Sequence, residues 1–212
     1  VPEGITEIPD GMYGEMIGVI GLFTGCPNLI DVSLPSSLKN IGDSAFAGCG
    51  KLASVTIPNG VTRIGRGAFN GCRNLESIIF PESVISIGEN AFMGCSNLQY
   101  VTIGKNVTTI KAKAFYKCKK LKSITIPSKV NKIGKQAFYN CKNLKKIKFK
   151  GSGLDYVAQD AIKGIHKKTV LDVPKKAVKK PTKKAVKSEA KKQKSVKNAQ
   201  NAEIVLKFAR LM

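Results

Sequence analysis

The stretch Leu52-Ala53-Ser54-Val55-Thr56-Ile57-Pro58-Asn59-Gly60-Val61-Thr62-Arg63-Ile64-Gly65-Arg66-Gly67-Ala68-Phe69-Asn70-Gly71-Cys72 returns with small changes every 23 residues. Six cysteines, Cys26, Cys49, Cys72, Cys95, Cys118 and Cys141, keep that beat, and so do Phe23, Phe46, Phe69, Phe92, Phe115 and Phe138. A fixed short period marks a repeat architecture, in which each unit buries its apolar side only against its neighbours. A period of 23 is too short for a propeller blade or a helix pair and suits one coil of a solenoid. The 212 residues are therefore expected to form one elongated stack with a continuous core.

Within one unit, Val55 and Ile57 alternate with Ser54 and Thr56, the period of two that turns one side of a strand inward and the other to water. Pro58 has no N–H to donate and ends that strand. Val61 and Ile64, matched by Val84 and Ile87, Val107 and Ile110, and Val130 and Ile133, predict a second short extended piece, followed by a turn. Ala68, Phe69 and Cys72 follow at steps of one and three residues, which predicts one turn of α or 3₁₀ helix burying the aromatic.

The recurring pattern Leu-x-x-Ile/Val-x-Ile-Pro, then Val-x-x-Ile-Gly-x-x-Ala-Phe-x-Gly-Cys, resembles the BspA-type (Treponema pallidum-type) leucine-rich repeat. The resemblance covers residues 29–149 clearly and implies a right-handed stack of coils with parallel β-sheet and short helical turns. It also implies a cell-surface or secreted protein with a role in adhesion, host-protein binding and virulence. Residues 1–28 read as a degenerate first coil, in which Ile8 and Pro9 echo Leu34 and Pro35 with three extra residues before Phe23. Residues 150–174 read as a degenerate last coil, with Ala161-Ile162-Lys163-Gly164 and Val170-Leu171-Asp172-Val173-Pro174 each one residue late. Atypical terminal coils are expected caps.

An even number of cysteines in a secreted chain suggests disulfides, but equivalent positions on successive coils point their Cβ vectors in parallel, which disulfide geometry disfavours. A ladder of buried, reduced cysteines is expected instead. Neither a CxxC pair nor a histidine near the cysteines supports zinc, so no metal or cofactor is expected. His166 is the only histidine and stands beside Lys167 and Lys168. Catalysis needs several groups converging on one pocket, whereas identical positions here repeat along a rod, so the chain is not read as an enzyme.

The outward strand positions make two columns. One is Asp31, Ser54, Ser77, Tyr100, Ser123 and Lys146; the other is Ser33, Thr56, Ile79, Thr102, Thr125 and Lys148. Ser54, Thr56, Ser77, Ile79, Tyr100, Thr102, Ser123 and Thr125 are the candidate ligand face, with Ile79 and Tyr100 as apolar anchors among hydroxyls. The plainer alternative is that Ser and Thr suit a solvated strand. Lys122, Lys145, Lys146 and Lys148 form a candidate basic patch continuous with it, within a group that also includes Lys117, Lys119, Lys120, Lys142 and Lys150.

Apolar residues make up 42% of the chain and no run of 18 of them occurs, so no transmembrane segment is expected. The formal net charge is +22 and it is unevenly spread. Residues 1–110 hold 6 Lys and Arg against 9 Asp and Glu, whereas residues 111–212 hold 30 against 5. A dense cationic half attracts nucleic acid, sulfated glycan or anionic cell-wall polymer through one Coulomb term, so a polyanion stands as an alternative partner to a host or neighbouring-cell protein. From Lys175 onward the sequence is Lys-rich and of low complexity, with Lys-Lys-Ala-Val-Lys at 175–179 and again at 183–187. Ile204, Val205, Phe208, Leu211 and Met212 then fall at helical spacing. The chain opens Val1-Pro2-Glu3, without the basic start and apolar stretch of a signal peptide, as a processed or truncated protein would.

Overall fold

A computed structural model describes residues 1–14, 18–151, 153–158 and 160–174. The Lys-rich segment 175–212, with the helix expected near its end, lies outside the described residues. Each coil contributes one two-residue strand to a seven-stranded parallel sheet. Its strands are Glu7–Ile8, Asn40–Ile41, Arg63–Ile64, Ser86–Ile87, Thr109–Ile110, Lys132–Ile133 and Tyr156–Val157, in that order. The register advances by one repeat at a time, with Ile41 beside Ile64 and Ile64 beside Ile87. A second side of the stack carries the strands of the outward columns. Ser77–Ile79 pairs with Tyr100–Thr102, and Ser123–Ile126 pairs with Lys146–Phe149 and, through it, with Val170–Asp172.

The periodic apolar positions meet in one core. Leu52, Leu75, Leu98, Leu121 and Leu144 are fully buried, as are the alanines and phenylalanines of the Ala-Phe pairs from Ala45-Phe46 to Ala114-Phe115. The phenyl rings stack along the axis with centroids 5.1 to 5.6 Å apart and planes within 13° of parallel. Each thiol from Cys49 to Cys141 donates to the carbonyl of the phenylalanine 26 residues earlier, at Sγ···O distances of 3.0 to 3.2 Å. That carbonyl also accepts the N–H of the cysteine in its own coil, as Phe46 does from Cys49 at 3.2 Å. The buried thiol is thus a small apolar group that still gives its one proton to a waiting acceptor.

The segment around each phenylalanine is not helical, contrary to its spacing. Among the described residues there is no helix. Alternate N–H groups are drawn to the next coil: Ser44 donates to Arg66 O, Phe46 to Ala68 O and Gly48 to Asn70 O, all at 2.7 Å. The residues between them close local three-residue turns, Ala47 to Ser44 and Cys49 to Phe46. A helix spends successive N–H groups within itself, so this alternation excludes one. It also needs left-handed backbone twice per coil, as at Gly67 and Gly71 with φ of 61° and 77°.

Close stacking reserves a further column for glycine. A Cβ on Gly65 would lie 2.5 Å from the carbonyl carbon of Gly42 and 2.6 Å from Asp43 N. Gly65→Ala is therefore expected to lower stability by about 1–3 kcal/mol, the usual penalty for overpacking, read as a shift in a urea unfolding midpoint. Lys111 stands in this column between Gly88 and Gly134. The ring spacing across that junction, from Phe92 to Phe115, is 5.6 Å, the widest in the stack.

Both end coils depart from the repeat. Ile8 pairs with Ile41, so Ile8-Pro9 occupies the second strand of its coil and not the place of Leu34-Pro35. The insertion lies after Ile8 and contains an antiparallel hairpin of Met12–Gly14 and Gly18–Ile20. This coil is tied down by Arg63, whose Nη1 meets Asp10 Oδ1 and whose Nη2 meets Asp43 Oδ1, both at 2.7 Å. The Arg63 hydrogen bond holds the Asp10 carboxyl below the usual carboxylate range. At the other end, Ile133 pairs with Val157 and Ile147 with Leu171, a step of 24 residues that accommodates the late last coil.

Candidate ligand-binding face

In-and-out alternation places the two outward columns on one side of the stack, although the strand expected around Val55 and Ile57 is not formed and residues 31–34 and 54–57 are extended without ladder pairing. Ser54, Thr56, Ser77, Ile79, Tyr100, Thr102 and Ser123 are exposed, and Thr125 is half-buried. The intervening Val55, Ile78 and Ile124 are buried. Ser77 registers beside Tyr100, and Ile79 beside Thr102. Ile79 and Tyr100 keep 65% and 61% of their surface in solvent, a large exposure for side chains this apolar. Ser54 continues the column downward by donating to Asp31 Oδ1 at 3.0 Å.

The four candidate lysines, Lys122, Lys145, Lys146 and Lys148, are exposed on the same side. Lys145 N donates to Lys122 O at 2.8 Å, which sets these two residues on adjacent coils. Lys146 and Lys148 register beside Ser123 and Thr125. The Lys122 ammonium lies 5.5 Å from the Tyr100 ring centroid, within cation–π range, so the basic patch abuts the apolar anchor. Lys146 Nζ lies 3.6 Å from Asp172 Oδ2, and among the described residues it alone of the four forms an ion pair.

Sequence reasoning missed two contributors. Val170, 58% exposed, and Asp172 enter the face because Val170–Asp172 extends the sheet beyond Lys146 and Lys148. Their one-residue delay in the repeat is the signal that finds them. The backbone ladder is also interrupted: Tyr100–Thr102 and Ser123–Ile126 belong to separate sheets, with Ser123 and Thr125 on the same sheet as Lys146 and Lys148. Elsewhere, Tyr116 and Tyr139 stack at 5.1 Å on the turn side, and the Lys132 ammonium sits 5.9 Å over the Tyr156 ring beside the seven-stranded sheet.

His166 uses Nδ1 to accept the Lys168 N–H at 3.1 Å. The thiols are held in the neutral form by burial: Cys72, Cys95 and Cys118 are pushed far above the ordinary thiol range, and Cys141 up to about 12. A thiol so held is a poor nucleophile and a poor metal ligand. No helix among the described residues is long and apolar enough to cross a membrane.

Comparison with known proteins agrees with this architecture. A leucine-rich repeat protein of T. pallidum is 34% identical over 68% of this chain and 66% of its own, with a TM-score of 0.60. A leucine-rich repeat protein of Bacteroides ovatus shares the fold at 24% identity, covering 82% of this chain and 54% of its own, with a TM-score of 0.57. A leucine-rich cell surface protein of Faecalibacterium prausnitzii is 29% identical over 69% of this chain and 43% of its own, with a TM-score of 0.48. The chain thus spans less than two thirds of the length of each of these proteins. No curated protein matches it significantly. The BspA type leucine rich repeat region matches in 6 copies over residues 20–145 and 62–185, and the chain belongs to that family.

Proposed function

We propose that this is a non-enzymatic binding protein of the cell surface or of secreted material, which holds a host or neighbouring-cell protein on the strand face of the outward columns and so serves adhesion. The observation that carries this reading is the exposure of Ile79 and Tyr100 on adjacent paired strands, each in register with a hydroxyl residue. Exposed aromatic and aliphatic anchors with a polar surround are the usual composition of a recognition centre. A solenoid holds such a face stiffly, so little conformational freedom is lost on binding. The surface location rests on the family.

A second reading follows from charge alone: the basic coils and the segment beyond them hold a polyanion such as nucleic acid, sulfated glycan or cell-wall polymer. Binding of this kind collapses as salt rises. The full chain, applied to an array of extracellular-matrix proteins and to heparin at low and high salt, separates the two. Salt-resistant capture by a matrix protein, lost in a Ser77→Arg/Thr102→Arg variant, is the expected result. Capture that disappears at high salt and ignores those substitutions sinks the first reading in favour of the second.

A further inference from the structure

We propose that the basic end of the strand face selects an acidic polypeptide segment, which sets an aromatic or aliphatic side chain against Ile79 and Tyr100 while its carboxylates reach Lys122, Lys145, Lys146 and Lys148. This rests on the strand face being the binding surface, and adds what the partner must carry.

The first observation is uncompensated charge. Lys145, Lys146 and Lys148 lie within four residues of one coil, and Lys122 lies beside Lys145 on the next. Coils in a parallel ladder stand about 4.8 Å apart, so each of these lysines has a like-charged neighbour on its own or the adjacent coil at a spacing below the Debye length of about 8–10 Å. Only Asp172, 3.6 Å from Lys146 Nζ, answers them among the described residues. A partner carboxylate relieves this repulsion and gains a charge-assisted hydrogen bond.

The second observation is that apolar surface and positive charge meet at one place. The Lys122 ammonium lies 5.5 Å from the Tyr100 ring centroid, and Tyr100 registers beside Ser77, two residues from the exposed Ile79. A sulfated polysaccharide would satisfy the lysines yet offers no side chain to cover Ile79. A peptide supplies both chemistries within a few residues. Nucleic acid would seek an open aromatic face to stack on, and that of Tyr100 is shared with Lys122.

Selection of displayed peptides on the full chain, at about 0.15 M salt, tests this. The expected winners carry several Asp or Glu around an aromatic or aliphatic residue. Their affinity should fall about tenfold or more in Lys145→Ser/Lys146→Ser/Lys148→Ser and again in Tyr100→Ser, since both anchor types are engaged. Neutral winners that lose affinity in Tyr100→Ser but not in the triple lysine variant overturn the acidic requirement and leave the face reading standing. Winners indifferent to both variants, as ligands of residues 175–212 would be, overturn both. Heparin that binds more tightly than any peptide, through the lysines and without Tyr100, overturns the proposal in favour of a polysaccharide.

Discussion

Raising the pH from 8 to 10 is expected to unfold the stack, because a row of thiols must stay neutral inside it. Burial pushes Cys72, Cys95, Cys118 and Cys141 above the ordinary thiol range. In the unfolded chain the same thiols ionise near pH 8.5. The folded state then keeps protons that the unfolded state has lost, so stability is complete below about pH 8.5 and falls as the pH rises above it. At pH 10 the loss is about 2 kcal/mol per thiol and roughly 8 kcal/mol for the four. A domain's whole stability is about 5–15 kcal/mol. Guanidinium titrations in reducing buffer from pH 7 to 10 read this directly. Cys118→Ala should lower stability at pH 7 yet recover about 2 kcal/mol of the alkaline loss. A midpoint that stays level to pH 10 would mean that the thiols are not enclosed as described.

Phe92→Ala should be the most damaging single truncation. Its ring is fully buried and lies 5.2 Å from Phe69, 5.6 Å from Phe115 and, edge-on, 5.4 Å from Phe80. Removing a buried phenyl group costs about 3–5 kcal/mol through lost transfer energy and the cavity left behind. In a stack where each coil touches only its neighbours, a central gap also uncouples the coils on either side. Urea unfolding followed by circular dichroism should show an earlier transition that broadens or splits. Phe23, half-buried in the first coil and flanked by one ring among the described residues, should cost clearly less as alanine. Equal losses from Phe23→Ala and Phe92→Ala would contradict a core that is continuous along the axis.

The 23-residue beat made the stack, its core positions and its outward columns legible, because the period fixes which residues stand above one another. The turn conformation around Phe46 and Phe69 was not. Ala-Phe-x-Gly-Cys spacing fits a helical turn equally well, and the distinction lies in where alternate N–H groups are spent. A readable sign existed in the column Ser44, Gly67, Asn90, Lys113 and Gln136, all with positive φ, although only two of the five are residue types that favour it. In the first coil Ile8-Pro9 imitates Leu34-Pro35 in sequence but pairs at the place of Ile41. The truer echo is Ile8-Pro9-Asp10 with Ile41-Gly42-Asp43, for Asp10 Oδ1 accepts the Asp43 N–H at 2.7 Å. On the face itself, alternation identified the exposed side chains, whereas the interruption after Thr102 depends on backbone spacing that no single residue announces.

Hydroxyl-radical footprinting of the full chain, free and bound to the matrix protein that captures it most strongly at high salt, tests the binding face most directly. Ile79 and Tyr100 should oxidise readily in the free protein and become shielded in the complex, while Tyr116 and Tyr139 on the turn side keep their reactivity. Shielding of Tyr116 and Tyr139 with Ile79 and Tyr100 still reactive would contradict the account and move the binding surface to the turn side.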